Sequence, residues 1–124
     1  MLENGTYIAV FTLSRGRQIQ VGKLGCFWFE PGLYLYVCSA QQNRSARLER
    51  RARRIKPLRW HVDYLSTKAW MIGAMIVPGP RKRECELARE LRCMYPLVLS
   101  GFGASDCRCG GHLFYAGDQQ LLSS

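Results

Sequence analysis

Four arginines recur at a spacing that phosphate chemistry can use. Arg44, Arg47, Arg51 and Arg54 stand at i, i+3, i+7 and i+10, so on a helix they line one flank. Leu48, Ala52 and Ile55 recur at i, i+4 and i+7 beside them and supply an apolar stripe to turn toward a core. Eight basic residues fall between Arg44 and Arg59, and only Glu49 opposes them. A flank of like charges repels itself, so a bound anion relieves it, and guanidiniums pair bidentately with phosphate oxygens.

Phenols lie close by in sequence. Tyr34 to Ala40 alternates like a strand, with Leu35 and Val37 on one face and Tyr34, Tyr36 and Cys38 on the other. Tyr7 opens an earlier strand, so Tyr7 and Tyr36 can sit side by side. Strand tyrosines usually do no more than pack. Glu84 is the most informative acid. It stands three and four residues before Leu87 and Ala88 and extends their helical stripe inward. An inward carboxylate must be paired, protonated or bound to a cation, because an isolated buried charge is prohibitive. The plainer readings are an acid favoured at a helix N-terminus or a salt bridge to an arginine. Glu86 and Glu90 form an i, i+4 pair on another face and read as solvated.

Two further groups of residues could hold ions or protons. Asp106, Cys107, Cys109 and His112 invite a zinc reading, in which the Cys85 thiol would join Cys107, Cys109 and His112 as a fourth ligand. Cys-x-Cys-x-x-His lacks the two-residue gap of ordinary zinc knuckles, so buried thiols are the favoured reading and zinc is not expected. His61 and Asp63 flank Val62 and would share a face if that segment is extended, where they could support a site or satisfy one another.

The elements that must position these residues follow from pattern and punctuation. Gly5 to Leu13 reads as a strand with apolar residues on both faces, hence central in a sheet. Ser14 to Arg17 is a hairpin-length loop, and Gln18 to Val21 reads as a strand pairing back on the first. Cys26 to Phe29 extends the sheet, and Glu30-Pro31-Gly32 turns the chain into Tyr34 to Cys38. Pro57 ends the basic helix. Trp70 to Val77 reads as a further strand, and Lys82 to Met94 as a helix with Leu87, Ala88, Leu91 and Met94 as its stripe. Gly101 to Gly111 is loop, and His112 to Tyr115 a last short strand. Residues 1–117 make one domain and 118–124 a tail.

Composition narrows the function classes. The 124 residues carry a formal net charge of +9, which points first to a polyanionic partner. No apolar run reaches the ~18 residues of a membrane span, and no secretory leader is visible, so no membrane is expected and the cytoplasm is the expected compartment. Six cysteines then read as reduced thiols or metal ligands.

Taken in order, Gly5-Thr6-Tyr7, Tyr36-Val37-Cys38-Ser39-Ala40, Arg47 and Glu84-x-x-Leu87-Ala88 resemble the GIY-YIG nuclease superfamily. Gly22 to Gly25, Trp60 to Leu65, Glu84 to Ala88 and the long run Gly101 to Tyr115 are similar to its compact DUF123 branch, which occurs alone and fused to DNA-repair glycosylases. The resemblance implies a small α+β domain with a central antiparallel three-stranded sheet flanked by helices. It implies a metal-dependent nuclease acting on DNA in repair or processing, with one Mg²⁺ or Mn²⁺ ion held by Glu84. On the same footing Arg47 would contact the scissile phosphate, Tyr7 or Tyr36 would orient or deprotonate water, and Arg44, Arg51 and Arg54 would grip nucleic acid alongside. His61, Asp63 and Asp106 would support the site.

Two residues depart from the family pattern. Cys38 stands where the second motif has glycine, which adds a side chain where backbone would approach substrate. Ala52 stands where close relatives often place histidine. These favour an alternative: a nucleic-acid-binding module on a degenerate nuclease fold. Either way, the chain has no visible specificity element beyond the core, which leaves recognition to a protein partner or a homodimer.

Overall fold

A computed structural model of the chain describes residues 5–40, 61–77, 83–98 and 111–117. The elements run β1 (Gly5–Leu13), β2 (Arg17–Val21), β3 (Gly25–Phe29), β4 (Gly32–Ala40), α1 (His61–Ser66), β5 (Trp70–Val77), α2 (Arg83–Met94) and β6 (Leu113–Gly117). This is a small α+β architecture. The main sheet has the order β5-β1-β4-β6, with every neighbouring pair antiparallel. It therefore holds four strands where three were expected, because both Trp70–Val77 and Leu113–Gly117 join it.

β1 lies at the centre because it has apolar residues to bury on both sides. Tyr7, Ala9, Phe11 and Leu13 face one core with Tyr34, Tyr36, Cys38 and Leu113; Ile8 faces the other with Leu35, Val37 and Phe114. Each large apolar side chain buried there contributes roughly 1.5–3 kcal/mol. The first face is covered by the β2–β3 ribbon and α1, through Ile19, Val21, Phe29 and Leu65. The second is covered by α2, through Leu87, Ala88 and Leu91.

β2 does not pair back on β1. It pairs with β3, from Arg17↔Phe29 to Val21↔Gly25, and forms a separate two-stranded ribbon. Both flanks of β1 are already taken by β4 and β5. The reversal at the ribbon's end is a 3₁₀ turn, Gly22–Leu24, entered and left by glycines at φ 50° and 118°.

Residues 61–66 are helical, so the extended segment that would have put His61 and Asp63 on one face is absent. Asp63 sits in the first turn, where the helix dipole favours an acid, and Leu65 anchors the helix in the core. Met94, expected in the apolar stripe of α2, is exposed, because Tyr95, four residues after Leu91, packs against that core in its place.

One end of the sheet is locked by aromatic rings. Tyr34 packs at 5.7 Å from Phe29 and 5.1 Å from Tyr115, centroid to centroid. The Tyr34 hydroxyl donates to Glu30 O and the Tyr115 hydroxyl to Pro31 O. Gly32 is required there: its φ is 139°, and a Cβ would meet Gly117 O at 2.2 Å.

Candidate functional site

The opposite end of the sheet gathers the chemistry. There β1 begins, β4 and β5 end, and β6 begins, as the register Thr6↔Ser39, Thr6↔Val77 and Tyr36↔Leu113 requires. Tyr7, Tyr36, Cys38, Thr6, His112 and the first turn of α2 therefore belong to one region. Strand register gathers the sheet residues, with Tyr36 at the middle of β4 opposite Ala9, and the Glu84–His112 contact brings in the first turn of α2.

Within that region the strand pleat sorts the side chains. Tyr7 is paired across β1–β4 with Cys38, and Tyr36 lies two residues further along β4 on the same face. Both phenols and the Cys38 thiol are buried in the core beneath the ribbon. The Tyr7 hydroxyl oxygen itself is shielded from water. Cys38 thus occupies, with a packed side chain, the space beside Tyr7 that a glycine would leave open.

Glu84 approaches from the other face, on the first turn of α2. Its carboxylate is not turned to bulk water: Oε2 lies 2.8 Å from His112 Nδ1, with the imidazole 1% and the carboxylate 19% exposed. His112 is itself fixed, because its carbonyl accepts a hydrogen bond from Val37 N at 3.0 Å. The contact gains charge-assisted strength whenever the imidazole is protonated. Sequence reasoning set His112 among zinc ligands and did not connect it to Glu84. The signal was there in the alternation of β6: His112 falls on the same face as Phe114, which is the face that α2 covers.

Thr6 was not singled out either. It is fully buried on the α2 face at this end of the sheet, and among the described residues its Oγ1 has no hydrogen-bond partner. A buried hydroxyl without a partner costs free energy that a bound water or ligand oxygen recovers.

Asp63 is fully buried on α1, on the ribbon side, away from the Glu84 face. Cys85 is partly buried; Cys107, Cys109 and Asp106 lie outside the described residues, as do Arg44, Arg47, Arg51 and Arg54 and the tail 118–124. Among the described residues no three His, Cys, Asp or Glu side chains cluster as a metal site would require. A divalent ion at Glu84 would then take one protein carboxylate and complete its shell with water, a coordination that suits Mg²⁺. The partly exposed carboxylate and the orphaned Thr6 hydroxyl fit such a hydrated ion. No helix among the described residues is long and apolar enough to cross a membrane.

Residues 6–124 match the family model described as a domain of unknown function, DUF123. Comparison with curated proteins and with solved structures gives no match.

Proposed function

We propose, for a chain that belongs to the DUF123 family over residues 6–124, a metal-dependent nuclease of GIY-YIG type that hydrolyses phosphodiester bonds of DNA in repair or processing. The observation that carries the reading is the Glu84 carboxylate, held inward by His112 at the sheet end where both tyrosine motifs meet.

The roles divide by chemistry. Glu84 would hold the divalent ion, with Thr6 nearby as an oxygen donor to its waters. The ion would supply Lewis-acid stabilisation of the leaving oxygen. Arg47 contacts the scissile phosphate and balances charge on its non-bridging oxygens, while Arg44, Arg51 and Arg54 hold the flanking phosphates. Tyr7 or Tyr36 orients the attacking water. An unperturbed phenol titrates near ~10, so deprotonating that water requires an arginine or the metal beside the ring. Because the phenols and the carboxylate approach from opposite faces, substrate must lie across the end of the sheet, not on either face.

The test is cleavage of single-stranded, nicked and branched DNA with Mg²⁺ or Mn²⁺, wild type against Glu84→Ala. Loss of about 100-fold or more in rate is expected; an undiminished rate overturns the assignment.

Burial of Tyr7, Tyr36 and Cys38 favours a second reading, a nucleic-acid-binding module that does not cleave. It predicts tight, salt-sensitive complexes that yield no product with any divalent metal.

A further inference from the structure

The two edges of the main sheet are finished differently. β6 is short, and segment 96–98 closes its outer side: Tyr115 N donates to Pro96 O at 3.1 Å and Val98 N to Leu113 O at 3.0 Å. β5, at the other edge, has no strand or backbone segment along its outer side among the described residues. Its sequence is Trp-Met-Ile-Gly-Ala-Met-Ile-Val, with no charged residue and no proline. Charges and prolines are two of the devices by which exposed edges are ordinarily kept from pairing; a bulge is a third, and the one in β5, at Ile72, leaves Gly73 to Val77 regular. Ile72, Gly73, Ala74, Met75 and Ile76 are exposed without a break. The large side chains among them, Ile72, Met75 and Ile76, are 55%, 51% and 49% exposed.

We propose that β5 pairs with β5 of a second copy, antiparallel about a two-fold axis, so that two four-stranded sheets become one continuous sheet. Several observations select a second copy over another occupant. Every neighbouring pair in this sheet is already antiparallel, and a two-fold axis reproduces that sense. The chain carries 18 Lys and Arg, yet none lies in β5, so an acidic partner finds nothing to recognise there and a second neutral strand does.

Register points to the centre. Between Val10 and Phe11 the register skips Ile72, a bulge in β5 that disturbs its Trp70 end, and Gly73–Val77 keeps regular pairing on β1. A two-fold through an antiparallel pair must set one residue opposite itself, because opposed side chains share a face. Centring on Met75 sets Gly73 against Val77 and Ala74 against Ile76, small against large. The five exposed residues present on the order of 400 Å² per copy, so the pairing covers at most roughly 800 Å² in all, the size of a weak, reversible interface. The proposal does not depend on nuclease activity.

The test is molar mass by sedimentation equilibrium from about 1 to 100 µM, a range chosen for a weak interface. Expected is a concentration-dependent dimer for wild type and a monomer for Met75→Lys and Ile76→Lys, with unchanged circular dichroism. Met75→Cys should form an oxidised self-crosslink, since opposed residues lie within disulfide reach. The control Glu90→Cys, on an exposed helix face, should not. A wild-type monomer at every concentration overturns self-pairing and leaves β5 to a strand of another protein. A dimer that survives both lysine variants, or that Met75→Cys fails to crosslink, overturns it as well.

Discussion

Glu84 and His112 hold each other across the gap between a helix and a sheet. The imidazole is buried and its carbonyl is tied to β4, so it fixes where the first turn of α2 can sit. Replacing His112 with alanine removes the contact and leaves a void. A loss of about 1–3 kcal/mol is expected in urea unfolding, with a smaller loss for His112→Gln, which can still donate. Cys38→Gly deletes a buried side chain from a strand interior and should cost about 1–2 kcal/mol by the same measurement. Burial holds the Tyr34 phenol well above its ordinary range, with the Tyr115 and Glu30 charges adding to the effect. A raised folded-state pKa means that the folded protein keeps the proton that the unfolded chain loses. The stability is therefore complete below about pH 10 and declines as pH rises past it. The melting temperature should fall on the alkaline side for wild type, and less steeply for Tyr34→Phe.

Among the elements, β1 and β4 were the most legible. Alternation placed Gly5 to Leu13 as a two-sided strand and sorted Tyr34, Tyr36 and Cys38 from Leu35 and Val37, as the two cores show. The helix expected over 82–94 begins at Arg83 and buries Leu87, Ala88 and Leu91, because a 3.6-residue stripe survives any tertiary context that has one face to cover. Partnership was less legible than existence. Nothing in Gln18 to Val21 says whether it joins β1 or β3; that is decided by how many strands compete for β1. Residues 61–66 are a helix, which the sequence left open because six residues carry too little periodicity to separate a helix from a strand. The tight joint at Gly32 belongs to this scale too. Gly32→Ala puts a methyl group into Gly117 O and demands a left-handed φ. It should destabilise by at least ~2 kcal/mol and loosen the β4–β6 end, read as faster amide exchange in β6.

The whole molecule couples a formal charge of +9 to a sheet that, among the described residues, has one closed edge and one open edge. A formal charge of +9 predicts nucleic-acid binding that weakens linearly in log-log form as salt rises. That slope should be indifferent to Glu84, which contributes no cation. Topology explains why the sequence alone could suggest the site but not draw it. Tyr7, Tyr36, Glu84 and His112 are far apart along the chain; the antiparallel register brings the two tyrosines to one face, and the contact with His112 brings in Glu84 from the helix. The opposite approach of phenols and carboxylate could not be read from spacing, since it depends on which face α2 covers.

The central claim is that the Glu84 carboxylate serves hydrolysis and not only packing. The measurement that addresses it most directly is a paired one: DNA affinity and Mn²⁺-dependent cleavage rate on the same preparation, for wild type and Glu84→Gln. The account predicts unchanged affinity with cleavage lowered about 100-fold or more. Cleavage that persists at the wild-type rate in a folded Glu84→Gln protein, or its absence from wild type with every divalent metal tried, contradicts it.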